Sequence, residues 1–280
     1  MTIDDRIIID IDERLKGNEI SAARALAPVA IMKSGSTPGF STKGLPGYYC
    51  GDREASTVVV NLNPGMDAEL SNGLWNVMTK AFDHSTTNAF ISDLKEKNEK
   101  YGYYDAGRYD EFDIKQAAFL TPWENSGIDL DSIPDWKNKV TQLESKQNVL
   151  LQKLQLELIP YASAKFKIDK KKMGLFVPYL DTLLEEIFRK ERKYVIFASD
   201  IFDGLFKYYN KKTKTKTFLL HKEEKGLLKN RNGRCRVVEI CYKGKKQRAL
   251  IAHTFPSRSL CKAFDLMQKY GEMCYNSFVS

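Results

Sequence analysis

The chain has 280 residues, 44 Lys and Arg against 36 Asp and Glu, a net charge of +8 at pH 7, and five cysteines. That length can bury a large core without disulfides. Cys50, Cys235, Cys241, Cys261 and Cys274 form no CxxC pair or Cys/His cluster, which argues against a structural zinc or an iron–sulfur cluster. The acidic start and the lack of a long uncharged apolar run predict neither a signal peptide nor a transmembrane helix, so a reducing, cytoplasmic setting fits best.

Charge is divided along the chain. Up to Pro160 there are 17 Lys and Arg against 24 Asp and Glu; from Tyr161 onward there are 27 against 12. The basic half carries clusters at Lys165–Lys172 (with Lys170, Lys171 and Lys172 contiguous), Lys207–Lys216, Lys222–Arg236 and Lys243–Arg248. Such clusters can be merely solvated, but interleaving with Phe166, Tyr208, Tyr209 and Phe218 fits phosphate contacts combined with stacking on bases.

In chain order, Ile7, Ile8, Ile11 and Leu15 stand at helical spacing and Ser21–Met32 is Ala-rich, so residues 1–46 read as a helical cap ending in a Gly/Ser/Pro-rich loop. A β-branched run, Ser56 to Leu62, then ends abruptly in Asn63-Pro64-Gly65. That places an amide side chain beyond the carboxyl end of a strand, where ligands sit in open α/β sheets; an ordinary turn is the plainer alternative. Residues 66–136 are polar and aromatic without sustained periodicity and read as an insertion. Lys137–Gln155 reads as a long helix leading to a strand at Leu156–Ile159, and Leu175–Arg189 as an amphipathic helix before a buried strand at Tyr194–Ala198. Asp200–Tyr209 reads as a helix capped by Ser199 or Asp200. A hairpin, Cys235–Tyr242 with Gln247–Thr254, closes around Lys243-Gly244-Lys245, and a helix follows at Leu260–Tyr270. Apolar strands alternating with amphipathic helices predict a three-layer α/β/α domain over 1–280, with a mostly parallel central sheet of about four strands.

The second apolar run, Arg248 to Ala252, ends in His253-Thr-Phe255-Pro256-Ser257-Arg258. With Asn63-Pro64-Gly65 early, this late motif, and Gly47-Tyr-Tyr-Cys-Gly-Asp52 and Leu74-Trp75-Asn76-Val77 around the first, the chain resembles the uracil-DNA glycosylase superfamily. Within Asn-Pro-Gly it is closest to the mismatch-specific uracil/thymine type. It departs from that pattern at Asn61, where many members have Gly, and at Phe255-Pro-Ser, where His-Pro-Ser is usual; His253 lies two residues early.

The resemblance implies a monofunctional glycosylase fold and chemistry, with Asn63 aligning a water and His253 donating to the departing base. It implies that Pro64, Gly65, Phe255, Pro256, Ser257 and Arg258 contact the DNA backbone, with the Lys170–Lys172 cluster adding charge. Glu157, near the end of the next strand, would read the base, and its carboxylate would suit an exocyclic amine better than a carbonyl edge. Tyr161, Phe166, Trp75 and Phe255 are stacking or wedging candidates, although each is a natural core residue. No metal or cofactor is implied. Nor is there a GxSxG elbow, a GxxxxGKS loop or a GxGxxG fingerprint. The expected partner is duplex or single-stranded DNA carrying an abnormal base, of uracil or modified-cytosine type as in some phage DNA, bound by a monomer without a membrane. A catalytically inactive nucleic-acid-binding protein on the same fold, or a nucleoside- or nucleotide-processing enzyme, are the alternatives.

Overall fold

The computed structural model describes residues 1–26, 40–65, 68–99, 111–123, 153–163, 170–212, 216–219, 224–228, 231–253, 255 and 264–280. Its strands are β1 (Tyr49–Gly51), β2 (Thr57–Asn61), β3 (Lys153–Glu157), β4 (Tyr194–Phe197), β5 (Lys216–Leu219), β6 (Glu224–Leu228), β7 (Arg231–Tyr242) and β8 (Lys245–Ala252). They form one mixed sheet in the order β1-β3-β2-β4-β8-β7-β5, with β6 beside β7. At its centre β3, β2, β4 and β8 run parallel; β1 on one flank and β7, β5 and β6 on the other are antiparallel. The four parallel strands match the expected number, and the four antiparallel ones enlarge the sheet beyond it.

Alternation along the strands assigns the two faces. Val58 and Val60 of β2, Leu154 and Leu156 of β3, Val195 and Phe197 of β4, and Ala249 and Ile251 of β8 share one apolar cluster. On that face lie α1 (Ile3–Leu15), α2 (Ser21–Ala25), α3 (Ala68–Ala81), α4 (Thr87–Glu99), α6 (Val177–Ile187) and α7 (Ile201–Lys212). Val59, Tyr194, Ile196, Leu250 and Ala252 point the other way, against α5 (Glu111–Leu120) and α8 (Phe264–Val279). Chain segment 66–136, read as an insertion, therefore supplies core on both faces: Trp75, Met78, Phe90 and Leu94 on the first, Phe119, Leu120 and Trp123 on the second. It is the crossover that parallel pairing of β2 with β3 requires. The stretch 137–152, expected to be helical, lies outside the described residues, and β3 begins three residues earlier than the expected strand.

Local chemistry accounts for the element ends. Thr2 Oγ1 accepts from Asp5 N at 3.1 Å while Asp5 accepts from Thr2 N at 2.8 Å, a capping box that starts α1. Ser199 Oγ accepts from Ile201 N at 3.2 Å and caps α7 as expected. The β7–β8 turn carries Lys243 and Gly244 at φ 48° and 80°, the left-handed pair that suits a two-residue hairpin.

Two polar devices hold the frame. Arg192, its guanidinium buried, donates to the carbonyls of Ala55 at 2.5 Å and Arg53 at 3.0 Å, while Gln247 Nε2 donates to Arg192 O at 2.9 Å. These bonds lace together the amino ends of β2, β4 and β8. Arg53 in turn pairs with Glu186 and with Asp4 at 3.0 Å, tying that edge to α6 and α1. On the first face, buried Asp10 of α1 accepts from the Tyr48 hydroxyl at 2.8 Å, and Tyr48 meets the Tyr161 hydroxyl at 3.4 Å. Burial pushes the Asp10 carboxyl up to about 6 against the pull of those two phenols.

Helix α8 packs tightly on α5 because Gly271 has no side chain: a Cβ there would stand 2.1 Å from the Phe119 carbonyl oxygen. Gly73 in α3, by contrast, has open space at its Cβ position. Gly271→Ala is expected to destabilise the protein by about 2–3 kcal/mol, as overpacking against backbone does. Gly73→Ala is expected to stabilise it by about 0.5–1 kcal/mol through helix propensity. Urea unfolding of both variants checks the pair, and equal effects would contradict the packing described.

Candidate functional site

The carboxyl ends of β3, β2, β4 and β8 share one edge of the sheet. Neighbouring strands lie about 4.8 Å apart, so the ends of β2 and β8, with β4 between them, are roughly 10 Å apart. Beyond β2 and β3 the two loops stay zipped together. Leu158 N donates to Asn61 O at 3.0 Å, Ile159 N to Leu62 O at 2.8 Å, and Ser163 N to Pro64 O at 3.2 Å.

Asn63 sits in this zipper. Its amide nitrogen donates to Pro64 O at 2.9 Å and to Ser163 O at 3.1 Å, using both N–H groups. The opposite amide orientation would set three oxygens against one another, so these carbonyls fix which way the group points. No donor among the described residues reaches its Oδ1. The half-buried amide therefore presents a fixed acceptor. Pro64 is half-buried, and Gly65 is exposed with open space where a side chain would be.

Glu157 ends β3 directly opposite Asn61 of β2, and both are buried. Its Oε1 accepts from Gln155 Nε2 at 2.9 Å and from Asn61 Nδ2 at 3.3 Å, and Gln155 Oε1 accepts from buried Lys153 at 2.9 Å. Among the described residues, Glu157 Oε2 and Asn61 Oδ1 find no hydrogen-bond partner. Burial pushes the Glu157 carboxyl up to about 7, although Gln155, Asn61 and the charge of Lys153 pull it down. A proton on Glu157 would turn one of two unengaged acceptors into a donor.

At the end of β8, the His253 side chain is buried and its Nε2 lies 2.7 Å from Asp203 Oδ2 in the first turn of α7; Arg236 Nη1 is 3.1 Å from the same oxygen. The imidazole thus faces α7 rather than the Asn63 loop, which places it apart from the expected role of base donor. Asp203 also lines a cleft of about 480 Å³ with Asp200, Met173, Lys207, Tyr208 and Lys211.

Of the four aromatic candidates, Phe166 lies outside the described residues and the other three lie in the core. Tyr161 is packed between Tyr48 and Tyr179, Trp75 against Phe90, and Phe255 against Phe119 and the second core cluster. Loop zipping explains Tyr161, and helix packing on the two faces explains Trp75 and Phe255; none of the three offers a ring to a base. Pro256, Ser257 and Arg258 lie outside the described residues. Lys170 opens a 3-10 turn, Lys170–Phe176, on which Lys171 and Lys172 are exposed. Of the expected residues, then, Asn63, Pro64, Gly65 and Glu157 come together at adjacent strand ends, and His253 stands two strands away. The sequence reading passed over two partners. Asn61 could be found from parity, since it shares the face of Thr57 and Val59 at the strand end; Asp203 has only its place in the first turn of α7 to mark it.

Among the described residues no group of three or more His, Cys, Asp and Glu could hold a metal ion, and no helix is long and apolar enough to cross a membrane. Comparison with protein-family models, with curated proteins and with solved structures finds no match to this chain.

Because the folded carboxyl of Glu157 stands near 7 against an ordinary value of 4.5, the folded protein keeps a proton that the unfolded chain releases. The site's contribution to stability is complete below about pH 4.5 and is lost as pH rises toward 7, an amount on the order of 3 kcal/mol. Glu157→Gln keeps the acceptor and removes the ionisation. It is expected to flatten this part of the stability profile, so that the variant gains on wild type between pH 5 and pH 8 (roughly the window of the shift) in parallel urea titrations. Profiles that stay parallel would show that Glu157 does not hold its proton in the fold.

Proposed function

We propose that the chain is a monofunctional DNA glycosylase on a three-layer α/β/α core of the uracil-DNA glycosylase kind, hydrolysing the N-glycosidic bond of an abnormal base. The observation that carries this reading is Asn63. An amide locked by two carbonyls beyond a central parallel strand, with its own carbonyl oxygen unengaged by any described residue, is built to accept a hydrogen bond from something small.

In hydrolysis of the bond between a base and C1′, that species is water. The C1′–N bond breaks with its electron pair leaving on the base, the sugar takes on oxocarbenium character, and the water oxygen bonds to C1′. The proton released ends on the departing base. A neutral acceptor suffices, because the cationic sugar is the strong electrophile and the protein's part is to aim the water. Asn63 Oδ1 does so from an amide that cannot rotate without breaking two hydrogen bonds.

Glu157 is the reading residue of this proposal. Its buried carboxyl, one strand along, offers an acceptor to an exocyclic amine when ionised and a donor to a ring nitrogen or carbonyl when protonated. The ionised form favours a cytosine-type base over plain uracil. The second reading, a nucleic-acid-binding protein without catalysis, is favoured by His253, which engages Asp203 and leaves the departing base without that donor.

Asn63→Ala is expected to slow single-turnover base removal by about 10²-fold or more with little change in DNA affinity. Duplexes carrying uracil, mismatched thymine or modified cytosines, treated with alkali after incubation, reveal abasic sites. Strand breaks from none of them would favour the binding protein, and an unaltered rate in a folded variant would remove Asn63 from the mechanism. In the same assay, Glu157→Gln is expected to erode any preference for cytosine-type over uracil-containing duplexes by about ten-fold, the worth of one base contact.

A further inference from the structure

After the carboxyl end of β4 a cleft of about 480 Å³ opens on the first face, lined along α7 from Asp200 to Lys211 and, from the 3-10 turn Lys170–Phe176, by Met173. Small-molecule sites enclose roughly 300–1,000 Å³. Two glycines let the turn and the helix approach: a Cβ on Gly204 would stand 2.7 Å from Met173 Cε, and one on Gly174 would stand 2.7 Å from the Tyr208 hydroxyl oxygen. Gly204 also lines the cleft, so its missing side chain is part of the space. Glycine inside a helix lowers its stability, and here the cleft is what that choice leaves open.

Charge along the cleft is ordered. Asp200 is exposed just before α7, and Asp203, in the first turn, is held by His253 and Arg236; Lys207 and Lys211 follow one and two turns later, both exposed. Side chains on a helix lean toward its N-terminus, so the two lysine stems run back along the cleft toward the carboxylates. Among the described residues neither lysine has an ion-pair partner, although Asp203 lies one turn before Lys207. Like charges at this spacing repel and weaken the helix that carries them. An anion held between them removes that cost. Met173 and Ile201, with the half-buried Tyr208 ring, give the same cleft an apolar side.

We propose that this cleft binds a free mononucleotide, with its phosphate on Lys207 and Lys211, its sugar hydroxyls donating to Asp200 and Asp203, and its base against Met173, Ile201 and Tyr208. A phosphate monoester carries nearly two negative charges at neutral pH, which two lysines match. The flat, largely apolar body of a base suits the remaining surface. The carboxylates select the free nucleotide over a strand, because a chain continuing from the sugar would bring its next phosphate up to them. The site uses neither Asn63 nor Glu157 and stands independently of the glycosylase reading.

The test is isothermal titration calorimetry of the full chain with each of the common 5′-ribonucleoside monophosphates, set against the matching nucleosides, inorganic phosphate and a short 5′-phosphorylated DNA strand. At least one mononucleotide is expected to bind about ten-fold or more tightly than its nucleoside, phosphate or the strand. Lys207→Ala and Lys211→Ala are each expected to weaken it by about ten-fold while leaving the nucleoside unaffected, and Asp200→Ala to weaken mononucleotide and nucleoside alike by about five-fold. Lys193→Ala, just before β4 at the opposite edge of the sheet, is the control and is expected to change nothing. Thermal melts confirm that each variant is folded. Several results would overturn the site: no mononucleotide bound, inorganic phosphate bound as tightly (an adventitious ion only), the strand bound more tightly, lysine variants without effect, or an equal loss in the control. Base removal is read in a separate assay, so either proposal can fail while the other stands.

Discussion

Parallel pairing of β2 on both sides is the constraint from which the rest of the architecture follows. Thr57–Asn61 is in register with Lys153–Glu157 on one side and with Tyr194–Phe197 on the other, and β8 extends the series. Parallel neighbours send all their carboxyl ends to one edge and need long crossovers to do so, which is why the helices cover both faces. The opposite edge is closed by Arg192, Gln247 and the Arg53–Glu186 pair. With the amino ends laced together, the loop beyond β2 carries a polar group that no described residue engages, Asn63 Oδ1.

The same strand order keeps the strands of the acidic first part of the chain together and apart from those of the basic remainder. β1, β2 and β3 come from the acidic first part of the chain; β4 to β8 come from the basic remainder. In the sheet these blocks stay apart, β1-β3-β2 on one side and β4-β8-β7-β5 on the other, so the boundary falls between β2 and β4. Asn63 lies at that boundary.

Much of the fold was legible where one physical rule dominated. The β-branched run into Asn63-Pro-Gly, the amphipathic stripe of α6, the Ser199 cap and the Lys243-Gly244 turn each declare themselves through a local rule, and each is found. Reading failed where the deciding contacts are distant. Residues 66–136 lack periodicity because their helices serve two different cores, and α5 buries every residue from Lys115 to Leu120, Lys115 and Gln116 included, so no apolar stripe marks it. β1 has only three residues, and β3 carries Lys153, Gln155 and Glu157 on one face, a pattern that hides a buried strand. At the site, Asn63 and Glu157 were legible as strand-end residues. The burial of Tyr161, Trp75 and Phe255 follows the plainer expectation that each is a core residue.

Two buried carboxyls show how structural and functional polarity differ in one molecule. Asp10 lies deep on the first face, where two phenol hydroxyls satisfy it and join α1 to the loops around Tyr48 and Tyr161; its network is explained by what it connects. Among the described residues, Glu157 is held at one oxygen only, twice over, and the other meets no donor, like the carbonyl oxygen of its neighbour Asn61. Leaving a buried polar atom unpaired costs about 1–3 kcal/mol, and an apolar residue at the end of β3 would avoid that cost. The fold gains nothing from the second oxygen. A carboxyl whose proton is finely balanced near neutrality, beside an amide with a free acceptor and one strand from Asn63, is the arrangement that binding a polar ligand would complete, and the deficit left by folding is the margin such a ligand could recover.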